Sequence, residues 1–250
     1  MIVETEEDLV RLKDIGRICA TAVKVMAAAL EPGITTRELD LIGRKLLEDN
    51  GAQSAPELCY QFPGATCISV NEEIAHGIPG DRVIKAGDLV NIDVSAEKLG
   101  YFGDTGSSFS VPPGTAKQER LLRDGKRALW VGLNQVKTGR PLADIGNSIG
   151  AFARKNRYTL ITNLASHGVG RSLHEEPTEL STWPDPDETR IMEEGLVFTV
   201  EPFLSLGGQW AEDGDKDNWT LYSEPRAPTV QFEHTIVVTK NGPLVLTLAD

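Results

Sequence analysis

NIDVSAEKLGYFGD, residues 91–104, places Asp93 and Asp104 in two adjoining apolar runs that both read as strands. DLVNIDVS (88–95) alternates and is rich in β-branched residues, Lys98-Leu99-Gly100 supplies a turn, and YFGDTGSSFSV (101–111) returns. The hairpin is expected to set Asp93 and Asp104 roughly opposite each other on one face. Two carboxylates that close in a core cannot both stay ionised unless one takes a proton or a cation lies between them.

Working outward, the second half of the chain repeats the pattern. AGDLVNID carries Asp93 six residues after Gly87, and EEGLVFTVE carries Glu201 six residues after Gly195. Asp104 on the following strand is matched by Glu233 in QFEHTIVVT, and His76-Gly77 by His167-Gly168. Each half begins with two helical stretches. In the first, Leu9, Leu12, Ile15, Ile18, Ala22, Val25 and Met26 form an apolar stripe ended by Pro32-Gly33, and TTRELDLIGRKLLEDNG follows with Thr35 or Thr36 as N-cap. In the second, QERLLRDGKRALWVGLNQVKTG and PLADIGNSIGAFARKNRY play the same parts. The expectation is a single α+β domain over 1–250, built from pseudo-repeats of about 1–113 and 114–250. Helices would cover a curved, mainly antiparallel sheet, with the site at the seam. A lone acid on a strand is ordinarily solvated. Four converging from two strand pairs require compensating positive charge, which a pair of divalent metal ions would supply.

The chain has 250 residues, 40% hydrophobic, with a formal net charge of -12. That balance argues against a nucleic-acid surface. No apolar run reaches the length of a bilayer span, and the acidic start MIVETEEDLV does not resemble a signal peptide. Cys19, Cys59 and Cys67 show no paired spacing and are expected to be free buried thiols, as in the cytoplasm.

Of four histidines, His167 and His174 share SHGVGRSLHEEP, whose glycines suit a loop around a ligand. With CISVNEEIAHGIPG, GDLVNIDVSAEKLGYFGDTGSSF, FTVEPF and QFEHTIVVT in the same order, the chain resembles the type I methionine aminopeptidases nearly end to end. The resemblance implies the pseudo-twofold pita-bread fold and a dinuclear site at its seam. Asp93 would chelate one metal, Asp104 and Glu233 would bridge both, and His167 with Glu201 would complete the second. A carboxylate-rich set with one imidazole suits manganese, iron or cobalt, with zinc and nickel as further candidates. Glu201 would shuttle the proton, His174 would stabilise the oxyanion, and His76 would hydrogen-bond the scissile nitrogen. His234, next to Glu233, reads as structural. The implied activity is removal of the initiator Met from nascent polypeptides with a small second residue, by a cytoplasmic monomer, at the ribosome or near it, with no nucleic-acid or membrane partner. The short stretch before the first helix leads us to expect a catalytic core of bacterial type.

The pocket for the first side chain departs from the family pattern. Phe62, Cys67, His76 and Trp219 match pocket positions, but Cys59 and Leu173 stand where aromatics are common, and Gly64-Ala65-Thr66 follows Pro63. An altered first-residue preference, as in a related metalloaminopeptidase or X-Pro peptidase, is the alternative. A non-catalytic binding protein is disfavoured because all five ligand positions are filled. QWAEDGDKDN (209–218) is expected to be a polar loop with solvated acids.

Overall fold

The computed structural model describes residues 1–214 and 217–249. Helices α1 (Glu6–Ala28) and α2 (Thr36–Asp49) both start with a capping box. The Thr5 hydroxyl accepts from Asp8 N, and the Asp8 carboxylate accepts from Thr5 N in return; Thr35 and Glu38 do the same. Leu12, Ile15, Ile18, Ala22 and Met26 are buried as the stripe predicts. Val25 is not: it is 39% exposed, and Val23 is buried instead. Each such side chain removed from water contributes about 1.5–3 kcal/mol.

The first half continues through β1 (Gln53–Ser54), the short helix α3 (Ala55–Tyr60), β2 (Cys67–Val70), β3 (Glu73–Ala75) and the long hairpin β4 (Leu89–Lys98) and β5 (Tyr101–Ser110). The second half holds α4 (Ala116–Leu133), α5 (Ala143–Asn156), β6 (Thr159–Leu160), β7 (Ser166–Gly168), β8 (Glu175–Leu180), β9 (Val197–Val200) and β10 (Phe203–Ser205). It ends with β11 (Trp210–Asp213), β12 (Leu221–Glu224), β13 (Thr229–Gln231), β14 (His234–Thr239) and β15 (Gly242–Val245). Part of the expected polar loop is therefore strand β11, while Asp215 and Lys216 lie outside the described residues.

All strand pairings are antiparallel, but they form four separate ladders among the described residues rather than one continuous sheet. β4 carries β5 on one edge and β1 and β2 on the other; the largest ladder runs β15-β14-β9-β7-β8. Alternation along β4 divides its side chains. Val90, Ile92, Val94 and Ala96 join the buried core with α1, while Asn91, Asp93 and Ser95 point to the opposite face. α4 and α5 build a second core with Phe198, Val200, Leu204, Val230 and Ile236.

The two halves meet where β5 passes the segment 231–235. Glu233 N donates to Gly106 O (2.9 Å), the Thr105 hydroxyl donates to Glu233 O (2.7 Å), and the Thr235 hydroxyl donates to Asp104 O (2.7 Å). Gly106 allows this approach: a Cβ there would lie 2.2 Å from Gln231 Oε1. No helix among the described residues is long and apolar enough to cross a membrane.

Candidate metal centre

The hairpin register corrects one expectation. β4 and β5 are joined by a two-residue turn, Leu99-Gly100, both with positive φ (54° and 80°), so Lys98 pairs with Tyr101. Asp93 then faces Gly106, and Asp104 faces Ser95. The two acids are diagonal neighbours rather than opposite ones. They still share a face, close enough for each carboxyl to perturb the other.

The second pair arrives the same way. His234 pairs with Val200, so Glu201 at the end of β9 and Glu233 at the start of β14 lie side by side. Thr199 donates its hydroxyl to Glu201 Oε1 (2.7 Å), and Gln231 donates Nε2 to both Asp93 Oδ2 and Glu233 Oε2 (3.1 Å each). His167 completes the group. Its Nε2 stands 3.7 Å from Asp104 Oδ2 and 3.6 Å from Glu201 Oε1, while Nδ1 faces Gly168 O at 3.0 Å. A proton on Nδ1, donated to that carbonyl, leaves the Nε2 lone pair directed at the acids.

Burial and mutual repulsion dominate the electrostatics. Burial pushes Asp93 up to about 6 and Glu201 up to about 8, with the Asp93 charge adding to the latter. Asp104 and Glu233 are raised well above the carboxylate range, first by burial and then by the neighbouring acids. Burial likewise lowers His167 to about 3, helped by His174. Glu233 Oε1 is buried without a hydrogen-bond partner among the described residues. Ligand atoms of Asp104, His167 and Glu233 all lie within 4.8 Å of one another. An unpartnered carboxylate oxygen, four crowded acids and an imidazole lone pair form a donor set that fits divalent cations.

The acids form the floor of a cleft of about 620 Å³. Every residue singled out for the site lines it: Asp93, Asp104, His167, Glu201 and Glu233 below, His76 and His174 at the sides, and Phe62, Cys67 and Trp219 among the walls. Phe62 and Trp219 meet edge to face with centroids 5.3 Å apart. His76 and His174 sit among many neighbours yet open to solvent through the cleft, and burial lowers both below the usual histidine range. His234 points away from the acids: its Nδ1 meets the Thr247 hydroxyl at 2.9 Å and its ring packs 6.1 Å from Trp130.

The pocket reading needs two corrections. Cys59 is exposed, so the expectation of three buried thiols fails there; Cys19 and Cys67 are buried. Cys59 does not line the cleft. Its neighbour Tyr60 does, with its hydroxyl 2.6 Å from His174 Nδ1 and ring centroids 5.6 Å apart. The aromatic missing at 59 is supplied one residue later by Tyr60, the last residue of α3, which lines the cleft. Leu173 lines the cleft as expected, but Gly64, Ala65 and Thr66 do not; Thr66 is buried against Asp40, to which it donates N and Oγ1 (2.8 Å each). Gln231 and Thr199 escaped the sequence reading. Both lie two residues before a site acid, on the same strand face, and that spacing is the signal that could have found them.

The profile of metallopeptidase family M24 matches residues 10–240. The chain belongs to this family. Among its relatives, the methionine aminopeptidase of Staphylococcus epidermidis is 48% identical over 251 residues, covering all of both chains. Methionine aminopeptidase 2 of Bacillus subtilis is 44% identical over 248 residues, 99% of each. The crystal structure of the Rickettsia prowazekii methionine aminopeptidase superposes with a TM-score of 0.94 at 33% identity, covering 99% of this chain and 100% of that one. The M24 chain therefore has the expected pita-bread fold.

Proposed function

We propose that this M24 metallopeptidase is a methionine aminopeptidase that removes the initiator Met from polypeptides whose second residue is small. One observation carries the reading. Four clustered acids, Asp104 and Glu233 among them buried, and the His167 lone pair line a cleft whose walls include the aromatic pair Phe62 and Trp219. Such a cleft can hold a free amino terminus and its first peptide bond over the acids, with an unbranched apolar side chain against the rings.

Asp93, Asp104, His167, Glu201 and Glu233 would hold two divalent ions, of which manganese, iron and cobalt suit the donors best and zinc and nickel also fit. The bound ions would supply Lewis acidity for the scissile carbonyl and for a nucleophilic water near neutral pH. Glu201, oriented by Thr199, takes a proton from the attacking water and passes it on towards the leaving amine. With the Tyr60 hydroxyl donating to His174 Nδ1, the His174 proton would sit on Nε2, where it can reach the carbonyl oxygen as negative charge develops. His76, at φ 52° and lining the cleft, would hydrogen-bond the scissile nitrogen.

We read the chain as one catalytic domain of two pseudo-repeats, each giving one strand pair and two acids, acting as a cytoplasmic monomer on nascent N-termini at the ribosome or close to it. Hydrolysis of Met-Ala-Ser and Leu-Ala-Ser with added Mn(II) or Co(II) tests the activity. Met-Ala-Ser should be the better substrate. A preference for Leu would overturn the specificity, and turnover of neither would overturn the enzymatic reading.

A further inference from the structure

The loop from Gly168 to His174 is gripped from outside the cleft by a group that touches neither acids nor substrate. The Arg171 guanidinium lies over the Tyr101 ring, 3.7 Å from its centroid. Its Nη2 donates to Asp8 Oδ1 (2.8 Å) and to the Tyr101 oxygen (2.6 Å), and the Tyr101 hydroxyl donates to the same Asp8 oxygen (2.8 Å). Asp8 is itself fixed, because its other oxygen accepts from Thr5 N and the Thr5 hydroxyl at the start of α1. We propose that Arg171, clamped between Asp8 and Tyr101, is a positioning residue that aims His174 into the cleft. The inference rests on the role given to His174 above.

Val169 and Leu173 anchor the loop in the first core, while Arg171 and Ser172 between them are exposed. Gly170 sits at φ 147°; Phe102 N donates to Gly170 O (2.8 Å), Gly170 N donates to Ser172 O (3.1 Å), Val169 N donates to Val197 O (3.4 Å), and Arg171 N and Ser172 N donate to Glu175 Oε2 (3.2 and 3.1 Å). On the cleft side the His174 ring is held by Tyr60, itself 44% exposed. Between the buried Val169 and Leu173, Arg171 adds a polar and stacking tie from this segment to α1 and to the tip of the β4–β5 hairpin. A half-exposed ion pair alone contributes little to stability. Three contacts to one planar guanidinium do something an ion pair does not: they fix orientation three residues from His174, where a misplacement of about 1 Å can cost a hundredfold in rate.

Two measurements test the clamp. In the metal-free protein, the His174 ring signals in NMR should shift and broaden in Arg171→Ala and in Arg171→Lys, which keeps the charge but loses the planar stack, while the His76 signals stay in place. Unchanged His174 signals would overturn the proposal whatever the enzyme does. In the metal-loaded enzyme, Arg171→Ala should lower kcat about tenfold with KM and bound metal unchanged, and have less than about a twofold effect when His174 is already Ala. An equal loss in both backgrounds would show that Arg171 acts elsewhere and also overturn the proposal. If His174→Ala alone leaves kcat unchanged, the role assigned to His174 falls and the aiming proposal falls with it, even if the NMR shows the clamp to exist.

Discussion

Asp104→Asn should stabilise the metal-free protein while destroying its capacity for metal. Asp104 is buried beside Asp93 and in the field of Glu201, and its carboxyl is held well above 3.8. A group raised in the folded state favours folding at low pH and weakens it as pH rises, because folding must take up a proton that the unfolded chain has released. At pH 7, keeping one such carboxyl protonated against an ordinary value of 3.8 costs up to about 4 kcal/mol, at about 1.4 kcal/mol per pH unit. An amide has no proton to take up, so the variant escapes this cost. Because Asp93, Asp104, Glu201 and Glu233 share one set of repulsions, we expect about 2 kcal/mol of net stabilisation at pH 7. The gap should narrow towards pH 5 and widen towards pH 8. Urea unfolding with a chelator present, at pH 5, 7 and 8, measures it. With Mn(II) added the order should invert, since only the wild type binds and gains stability by linkage. A metal-free variant that is less stable than wild type at pH 7, or a gap that does not widen with pH, would refute the account of the acid cluster.

Three other outcomes follow from the same geometry. His174→Ala should lower kcat roughly a hundredfold with both metals retained, because the site acids and His167 suffice as ligands; loss of metal by elemental analysis would make His174 a ligand instead. Gln231→Leu removes the donor shared by Asp93 and Glu233 and leaves the Asn91 amide, 2.8 Å from Gln231 Oε1, without that acceptor. It should cost about 1–3 kcal/mol in stability and weaken Mn(II) binding by calorimetry, and wild-type affinity would show that the bridge is idle. In a Met-X-Ser series, kcat/KM should be high for Gly, Ala or Ser at X and at least about a hundredfold lower for Leu or Lys, since a bulky second side chain displaces the carbonyl from His174; equal rates would refute the substrate pose.

Much of the site was legible because strands alternate. A period of two assigns Asp93, Asp104, Glu201 and Glu233 to particular strand faces from spacing alone, and the glycine-to-acid echo ties the two halves together. Helix starts were equally local: Thr5, Thr35 and Thr115 form capping boxes with residues three positions on. Register was not local. Whether Asp93 faces Asp104 or lies diagonal to it depends on where the turn falls: a two-residue turn at 98–99 would pair the acids directly, and the left-handed backbone of Leu99 and Gly100 sets it one residue later. Cys59 looked like a pocket residue because its place in the chain matched one, yet the end of α3 exposes it and delivers Tyr60 to His174 across 114 residues. The spacing of two puts Gln231 on the face of Glu233 but does not announce that it also reaches Asp93 of the other half, and Asp8 receiving Arg171 from 163 residues away has no periodicity at all. Hydrophobic pattern and capping reach only a few residues along the chain, so they settle elements and faces. Which polar side chains meet is decided by how those faces pack, because a buried donor or acceptor must find its partner wherever the fold brings one.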